Sequence, residues 1–498
     1  MNWITCLPFL VGCLSIPLDA IQPIDNYVEG TLDYVPINRN FTSPPHRRAK
    51  RAASTGPAVV ELVIVTDKEF GDIFQQDYFK ILNYLTAFLW DVNMRYKTLL
   101  NTDISFRLNG LLTQTTKESQ PFIENSRRSS DGKLVFGDAL ESFSKWMYAR
   151  RDWLLKFDMA LLITNTPAER LGGLANFGGA CYQDAANGKD FGTVVITDSG
   201  AFTGVPAAAH EMAHNLKAPH DDEVDCPYGF IMSGDLGQDG DSRYFFSKCT
   251  DAAISAFINS PNGDCLKRYD GYETTPMDRN FSTPKAGPML DMCRASLGPT
   301  TSIDESSTSN YCKNVQCIYN GHDLPRVPVE NIQCGNSGRC FRGKCRPESK
   351  LLKNEASGFC MNTDNRLFGY MVPARMFQCP SAKDKTPLET IEIKTAQSGQ
   401  KLLATPFLYN DNQESGDRCF WTGQNEGDML WTDRCGSNTN PWHYWDLKTI
   451  DGNPDRFQLV HSVTGRCARV MSNASDSYIY STQCGTDSSM VWSWTDGV

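Results

Sequence analysis

The chain has 498 residues, 40% hydrophobic and 21% charged, enough core material for about three domains of ordinary size. Its 58 Asp and Glu against 48 Lys and Arg leave a formal charge of −10, which argues against nucleic acid or an anionic membrane as the main partner. After the first twenty residues no apolar run approaches the roughly 20 residues needed to cross a bilayer, so no membrane span is expected.

In chain order, residues 4–18 (ITCLPFLVGCLSIPL) are too short for a membrane helix but suit a signal-peptide core, so residues 1–20 are expected to be a signal peptide. Eighteen cysteines agree with that destination, because disulfides persist in oxidising, extracellular surroundings. Removing the segment takes Cys6 and Cys13 with it and leaves sixteen, an even number. Residues 21–51 read as a propeptide. The run Arg47-Arg48-Ala49-Lys50-Arg51 lies among turn-forming and small residues, and its Arg-x-Lys-Arg pattern resembles the cut site of furin-type convertases. A mature chain starting at Ala52, after cleavage at Arg51, is the expectation.

Residues 52–268 read as α/β. Ala58–Asp67, Ile104–Leu112, Phe157–Thr164 and Val194–Thr197 are candidate strands, rich in β-branched and aliphatic residues. Residues 77–100 place Phe79, Leu82, Leu85, Phe88, Leu89 and Val92 at helical spacing, and Gly137–Trp153 looks like a second amphipathic helix. Such alternation implies a mostly parallel sheet covered by helices.

The chemistry is concentrated in one window, Pro206-Ala-Ala-Ala-His210-Glu211-Met212-Ala213-His214, continuing to Pro219-His220-Asp221. Pro206 suits a first helical turn and the alanines favour helix. On a helix, His210 and His214 lie one turn apart on one face, so both imidazoles reach one ion. Pro219 is expected to end the helix, and the chain then turns to bring His220 back. Three neutral imidazoles leave a fourth position open for water, the arrangement of a catalytic zinc site. Glu211, beside the first ligand, is placed to take a proton from that water. Three of the chain's seven histidines fall in the eleven residues from His210 to His220.

This HExxHxxxxxHD pattern resembles the metzincin zinc peptidases, and the Asp after the third His resembles their adamalysin (reprolysin) branch. Cys226-Pro-Tyr-Gly-Phe-Ile-Met232 is similar to that family's Met-turn, with Met232 beneath the zinc. Val60–Asp67, Gly172–Cys181 and Phe245–Cys249 are looser likenesses, so the resemblance covers about 52–268. It implies a mixed-sheet metzincin catalytic domain with a zinc helix, zinc-dependent endopeptidase activity on extracellular proteins, and disulfides Cys181–Cys265 and Cys226–Cys249.

Two positions depart from the family. Lys217 stands where the helix usually ends in Gly at positive φ, a conformation that costs a non-glycine residue about 1–2 kcal/mol. Glu61 and Asp158 match two calcium ligands used by some members, but Arg268 replaces the third, an Asn. A guanidinium satisfies carboxylates, so Ca2+ is not expected. Residues 21–51 contain no cysteine, so a thiolate on the metal cannot maintain latency.

Residues 269–285 read as a polar linker, and 286–350 as a small disulfide-rich module holding Cys293, Cys312, Cys317, Cys334, Cys340 and Cys345. Their pairing stays open. The spacing is similar to the cysteine-rich modules of ADAM-TS and tick salivary metalloproteases. Residues 351–498 repeat: Cys360 and Cys379, Cys419 and Cys435, and Cys467 and Cys484 mark three units, each expected to close its own disulfide. The pattern resembles a ricin-type, all-β trefoil. Trp445 and Trp492 survive from its Gln-x-Trp signature, while His443 and Met490 replace the Gln. These aromatics are expected in the core rather than as sugar platforms, which leaves a glycan partner as the alternative. On that second reading, a weakened scaffold works as a lectin-like binding protein. Asn40, Asn280 and Asn473 head glycosylation triplets, the first of them lost with the propeptide. With its own disulfides and metal, the 52–268 unit is expected to act on short peptides by itself.

Overall fold

The structure, a computed structural model, describes residues 34–36, residues 58–267 apart from 153, 155, 170, 171 and 235–240, and interrupted stretches of 293–496. The signal-peptide core, Arg51, the 269–285 linker, Arg268, Asn40 and Asn280 lie outside the described residues.

The first region runs β1 (Tyr34–Pro36), β2 (Ala58–Thr66), α1 (Lys68–Ile73), α2 (Tyr78–Tyr96), β3 (Ile104–Thr113), α3 (Pro121–Glu124), α4 (Phe136–Tyr148), β4 (Met159–Thr164) and β5 (Gly173–Phe177). It continues with β6 (Gln183–Asp184), β7 (Lys189–Asp190), β8 (Thr193–Thr197), α5 (Val205–Asn215) and α6 (Lys248–Ile258). Six strands form one sheet in the order β1-β5-β8-β4-β2-β3. Only the β5–β8 pairing is antiparallel.

Strand alternation sorts the core into two layers. Leu62 and Ile64 of β2, with Met159, Leu161 and Ile163 of β4, face α2 and α5. Val63 and Val65, with Ala160 and Leu162, face α3 and α4. Burial on both faces is why these strands read as continuous apolar runs. The second amphipathic helix stops at Tyr148, short of the expected Trp153.

The cysteine-rich region adds β9 (Ser302–Ile303), β10 (Val315–Tyr319), β11 (His322–Arg326), β12 (Gln333–Cys334), β13 (Gly338–Phe341) and β14 (Lys344–Pro347). Its six cysteines pair as Cys293–Cys317, Cys312–Cys340 and Cys334–Cys345. From Leu351 to Thr495 a 12-stranded antiparallel assembly carries Cys360–Cys379, Cys419–Cys435 and Cys467–Cys484. Trp445 and Trp492 are wholly buried in its core. Trp445 Nε1–H donates to the Phe420 carbonyl and Trp492 Nε1–H to the Ala468 carbonyl, in each case the residue after the unit's first cysteine. A ring whose two faces are packed cannot serve as a sugar platform.

Candidate metal centre

The centre is built on α5, which is held at both ends. Before it, the buried Asp198 carboxylate accepts N–H bonds from Gly200 and Gly204 (2.7 Å each) and the Tyr84 hydroxyl (2.7 Å). Midway, Tyr96 of α2 donates to the Ala209 carbonyl at 2.9 Å. At its end, Asn215 Nδ2 donates to the Asn176 and Phe191 carbonyls. The helix therefore sits in fixed register against β5.

Pro219 does not terminate α5. The helix ends at Asn215, and Lys217 adopts φ 72°. Lys217 N–H bonds the His214 carbonyl (2.8 Å) and Ala218 N–H the Ala213 carbonyl (2.9 Å), the paired closure of a Schellman motif. Lys217 is exposed, and its stem lies against Gly178, where an added Cβ would stand 3.3 Å from Lys217 Cβ and Cγ. Lys217→Gly removes about 1 kcal/mol of positive-φ strain, partly offset by the freer unfolded chain of glycine. We expect the melting temperature to hold or rise and zinc release to be no faster. Accelerated release would assign the lysine side chain a holding role.

The turn brings His220 beside the helix. The Nε2 atoms of His210 and His214 lie 3.0 Å apart, and each is 3.2 Å from Nε2 of His220. All three rings are buried. The far nitrogens are engaged: His210 Nδ1 at the Ile231 carbonyl (2.6 Å), His214 Nδ1 at the Ala218 carbonyl (2.7 Å), His220 Nδ1 at Glu223 Oε1 (3.5 Å). A carbonyl can only accept, so the two helical imidazoles carry their protons on Nδ1 and turn the Nε2 lone pairs inward. Nitrogens about 2.0–2.1 Å from a tetrahedral ion stand about 3.3–3.4 Å apart, so three converging lone pairs at this spacing fit zinc.

Glu211 is buried beside the triad. Its side chain passes β5 where Gly173 leaves room, since a Cβ there would lie 2.6 Å from Glu211 Cγ. Met232 is wholly buried, and its carbonyl accepts Asp221 N–H (2.9 Å), tying the Met232 segment to the His220 segment. Asp221 is hydrogen-bonded by Ser247 and Thr250, and burial raises its carboxyl to about 6. Cys181 joins Cys265, and Cys226 joins Cys249. Glu61 and Asp158 are adjacent: Asp158 accepts Glu61 N–H (3.0 Å), and Asn109 donates to Glu61 (2.9 Å).

Sequence reasoning missed Asp198, Tyr84, Asn215 and the Ile231 carbonyl. Their roles are set by partners far along the chain, and a carbonyl leaves no mark in a sequence.

Residues 56–251 match the Reprolysin_5 family, metallo-peptidase family M12. That stretch is therefore similar to an M12 metalloprotease domain. It is 26% identical over 346 residues to "A disintegrin and metalloproteinase with thrombospondin motifs like" of Bombyx mori, covering 63% of this chain and 48% of that protein. It is 23% identical over 218 residues to venom metalloproteinase 3 of Eulophus pennicornis, covering 42% and 51%. "A disintegrin and metalloproteinase with thrombospondin motifs 7" of Rattus norvegicus is 28% identical over 236 residues, covering 42% and 14%. The chain thus spans about half or less of these curated relatives' lengths. Among solved structures, the designed 3-fold symmetric protein ThreeFoil aligns with 29% of this chain and 96% of its own at 10% identity, with a TM-score of 0.24. The M12 family implies zinc, and the His210, His214 and His220 triad fits it. Among the described residues no helix is long and apolar enough to cross a membrane.

Proposed function

We propose that the chain is a secreted zinc endopeptidase, of the adamalysin type, that cleaves extracellular proteins. The observation that carries this is the convergence of three buried imidazole Nε2 atoms beside the buried Glu211 carboxylate. Zinc held by the three histidines would supply the Lewis acidity that polarises a scissile carbonyl and makes water a competent nucleophile. Glu211 takes the proton of the attacking water and delivers it to the leaving amine. His210 and His214 stay correctly oriented because backbone carbonyls hold their Nδ1 protons. Calcium is not proposed at Glu61 and Asp158, where Asn109 already donates to Glu61. The three disulfide-marked C-terminal units are read as a trefoil-like accessory body that holds substrates near the protease. A glycan is one ligand class for it, bound away from the two buried tryptophans. Asn280 and Asn473 are the proposed glycosylation sites of the mature chain, and Asn473 is exposed.

Residues 21–51 are read as a latency segment. The backbone of Tyr34–Pro36 pairs in parallel with Ala175–Phe177 of β5, on the edge that a bound peptide would extend. Strand pairing of that kind occupies the N–H and C=O groups that a substrate needs, without any thiolate.

The test is peptide-library hydrolysis by protein cut after Arg51. We expect cleavage that a chelator stops and zinc restores, and little cleavage by uncut Arg51→Ala protein. Chelator-insensitive cleavage would overturn the zinc reading. Equal rates for cut and uncut protein would overturn the latency reading.

A further inference from the structure

The segment that orients His210 is gripped from outside the M12 domain. Ile231, whose carbonyl holds His210 Nδ1, donates its own N–H to the Phe245 carbonyl at 3.0 Å. Phe245 is buried with Met94, Phe230, Tyr244 and Phe341 in one apolar cluster, and Phe341 belongs to β13 of the cysteine-rich region. The β13–β14 turn is Arg342-Gly343, with φ values of 48° and 72°, the double-positive pattern of a type I′ hairpin. Space as well as φ demands the glycine, because a Cβ at 343 would stand 2.8 Å from Tyr244 Cε2.

A chain of buried charged groups fastens this turn. The Arg342 guanidinium lies over the Phe245 ring (4.6 Å) and the Phe341 ring (4.8 Å). The Arg342 main-chain N–H donates to both Glu330 carboxylate oxygens, at 2.9 and 2.8 Å, while its guanidinium supplies the nearby positive charge. Glu330 N–H donates to Asp91 of α2 at 3.3 Å, and Asp91 pairs with Arg95 at 3.6 Å. The Arg95 guanidinium lies 4.3 Å over the Tyr244 ring. Asp91, Arg95, Glu330 and Arg342 are all buried. Burial, and the Asp91 carboxylate nearby, raise the Glu330 carboxyl to about 7. Four buried ionisable groups are held together only at a large desolvation cost, so removing the Arg342 guanidinium leaves the carboxyl side of the cluster less compensated.

We infer that Arg342 and Glu330 are positioning residues of the metal centre, holding Phe245 so that the Ile231 carbonyl keeps His210 turned towards the metal. This inference rests on the zinc-site reading above. It also revises the expectation that 52–268 is self-sufficient. Cutting after residue 268 would uncover Tyr244 and Phe245 and strip Asp91 and Arg95 of Glu330.

The experiment uses the full mature chain. Zinc content is measured first, then the rate of zinc release into excess chelator, for wild type, Arg342→Ala, Arg342→Lys and Arg346→Ala. Arg346 is the control, because it pairs with Asp417 on the C-terminal side, away from the centre. Losing an outer-shell support for a metal-ligating histidine costs about tenfold or more in metal retention. We therefore expect release about tenfold faster in Arg342→Ala, partial rescue in Arg342→Lys and wild-type release in Arg346→Ala. If Arg342→Ala fails to fold, Glu330→Gln, which keeps an acceptor for Arg342 N–H, should show an intermediate acceleration. Wild-type release in the folded Arg342 or Glu330 variants overturns the inference, as does equal acceleration by Arg346→Ala. In either case the zinc-site reading stands. Wild-type protein that holds no zinc overturns both.

Discussion

Glu211→Ala should lower kcat on a short peptide by about 10²- to 10⁴-fold, the usual worth of a positioned general base, while the protein keeps its zinc. The two halves of this expectation separate a base from a ligand. The metal site is built from three ring nitrogens whose outer partners are the Ile231 and Ala218 carbonyls and Glu223. These outer partners belong to other residues, so truncating Glu211 leaves all three of them in place. What it removes is the buried carboxylate that would exchange protons with water and the leaving amine. KM should change little, because the carboxylate acts on the reacting atoms and not on the flanking peptide. Metal analysis beside steady-state kinetics checks this. Zinc lost together with activity would make Glu211 part of the holding network. Undiminished turnover would place the chemistry elsewhere.

What was legible beforehand, and what was not, follows the range of the interactions. The triad could be read because two of its members are four residues apart on one helix and the third is six further on. The parallel strands could be read because they are buried on both faces and so have continuous apolar runs. β5 gave no such signal. Its residues, Gly-Leu-Ala-Asn-Phe, include two poor strand formers, and it is held by pairing with β8 and by Asn215 rather than by its own propensity. The end of α5 was assigned to Pro219, the stronger local breaker, yet the helix stops at Asn215, and Lys217 takes the positive φ of the turn at the position the family resemblance marks for Gly. Glu330 and Arg342 could not be identified as partners of the centre. Glu330 meets Asp91 across 239 residues of sequence, and the chain between them carries no pattern that encodes the meeting. Trp445 and Trp492 were expected in the core and lie there, because an indole with its N–H satisfied by a backbone carbonyl can be buried fully.

Gly173→Ala tests how closely β5 and the proton-transfer residue depend on one another. A methyl group at this position would meet Glu211 Cγ and the Val195 carbonyl at 2.6 Å each, and Ile196 Cγ2 at 2.9 Å. Only the glutamate has freedom to move. The Val195 carbonyl belongs to the backbone of β8, paired with β5 in antiparallel register, so relief on that side means prising the strands apart. Overpacking of this kind costs about 1–3 kcal/mol, so the melting temperature should fall by several degrees. The functional loss should exceed what that destabilisation explains. A glutamate pushed aside by an ångström no longer meets the reacting water, and misplacement on that scale costs about 10²-fold in rate. The outer partners of the triad are Ile231, Ala218 and Glu223, none of them on β5, so metal content should stay at one per chain. Measured well below the lowered melting point, the variant should be fully folded, zinc-loaded and about 10²-fold slower in kcat. Wild-type kcat in a folded Gly173→Ala protein would mean that Glu211 has more room than the β5 contact implies, and that the strand does not set its position.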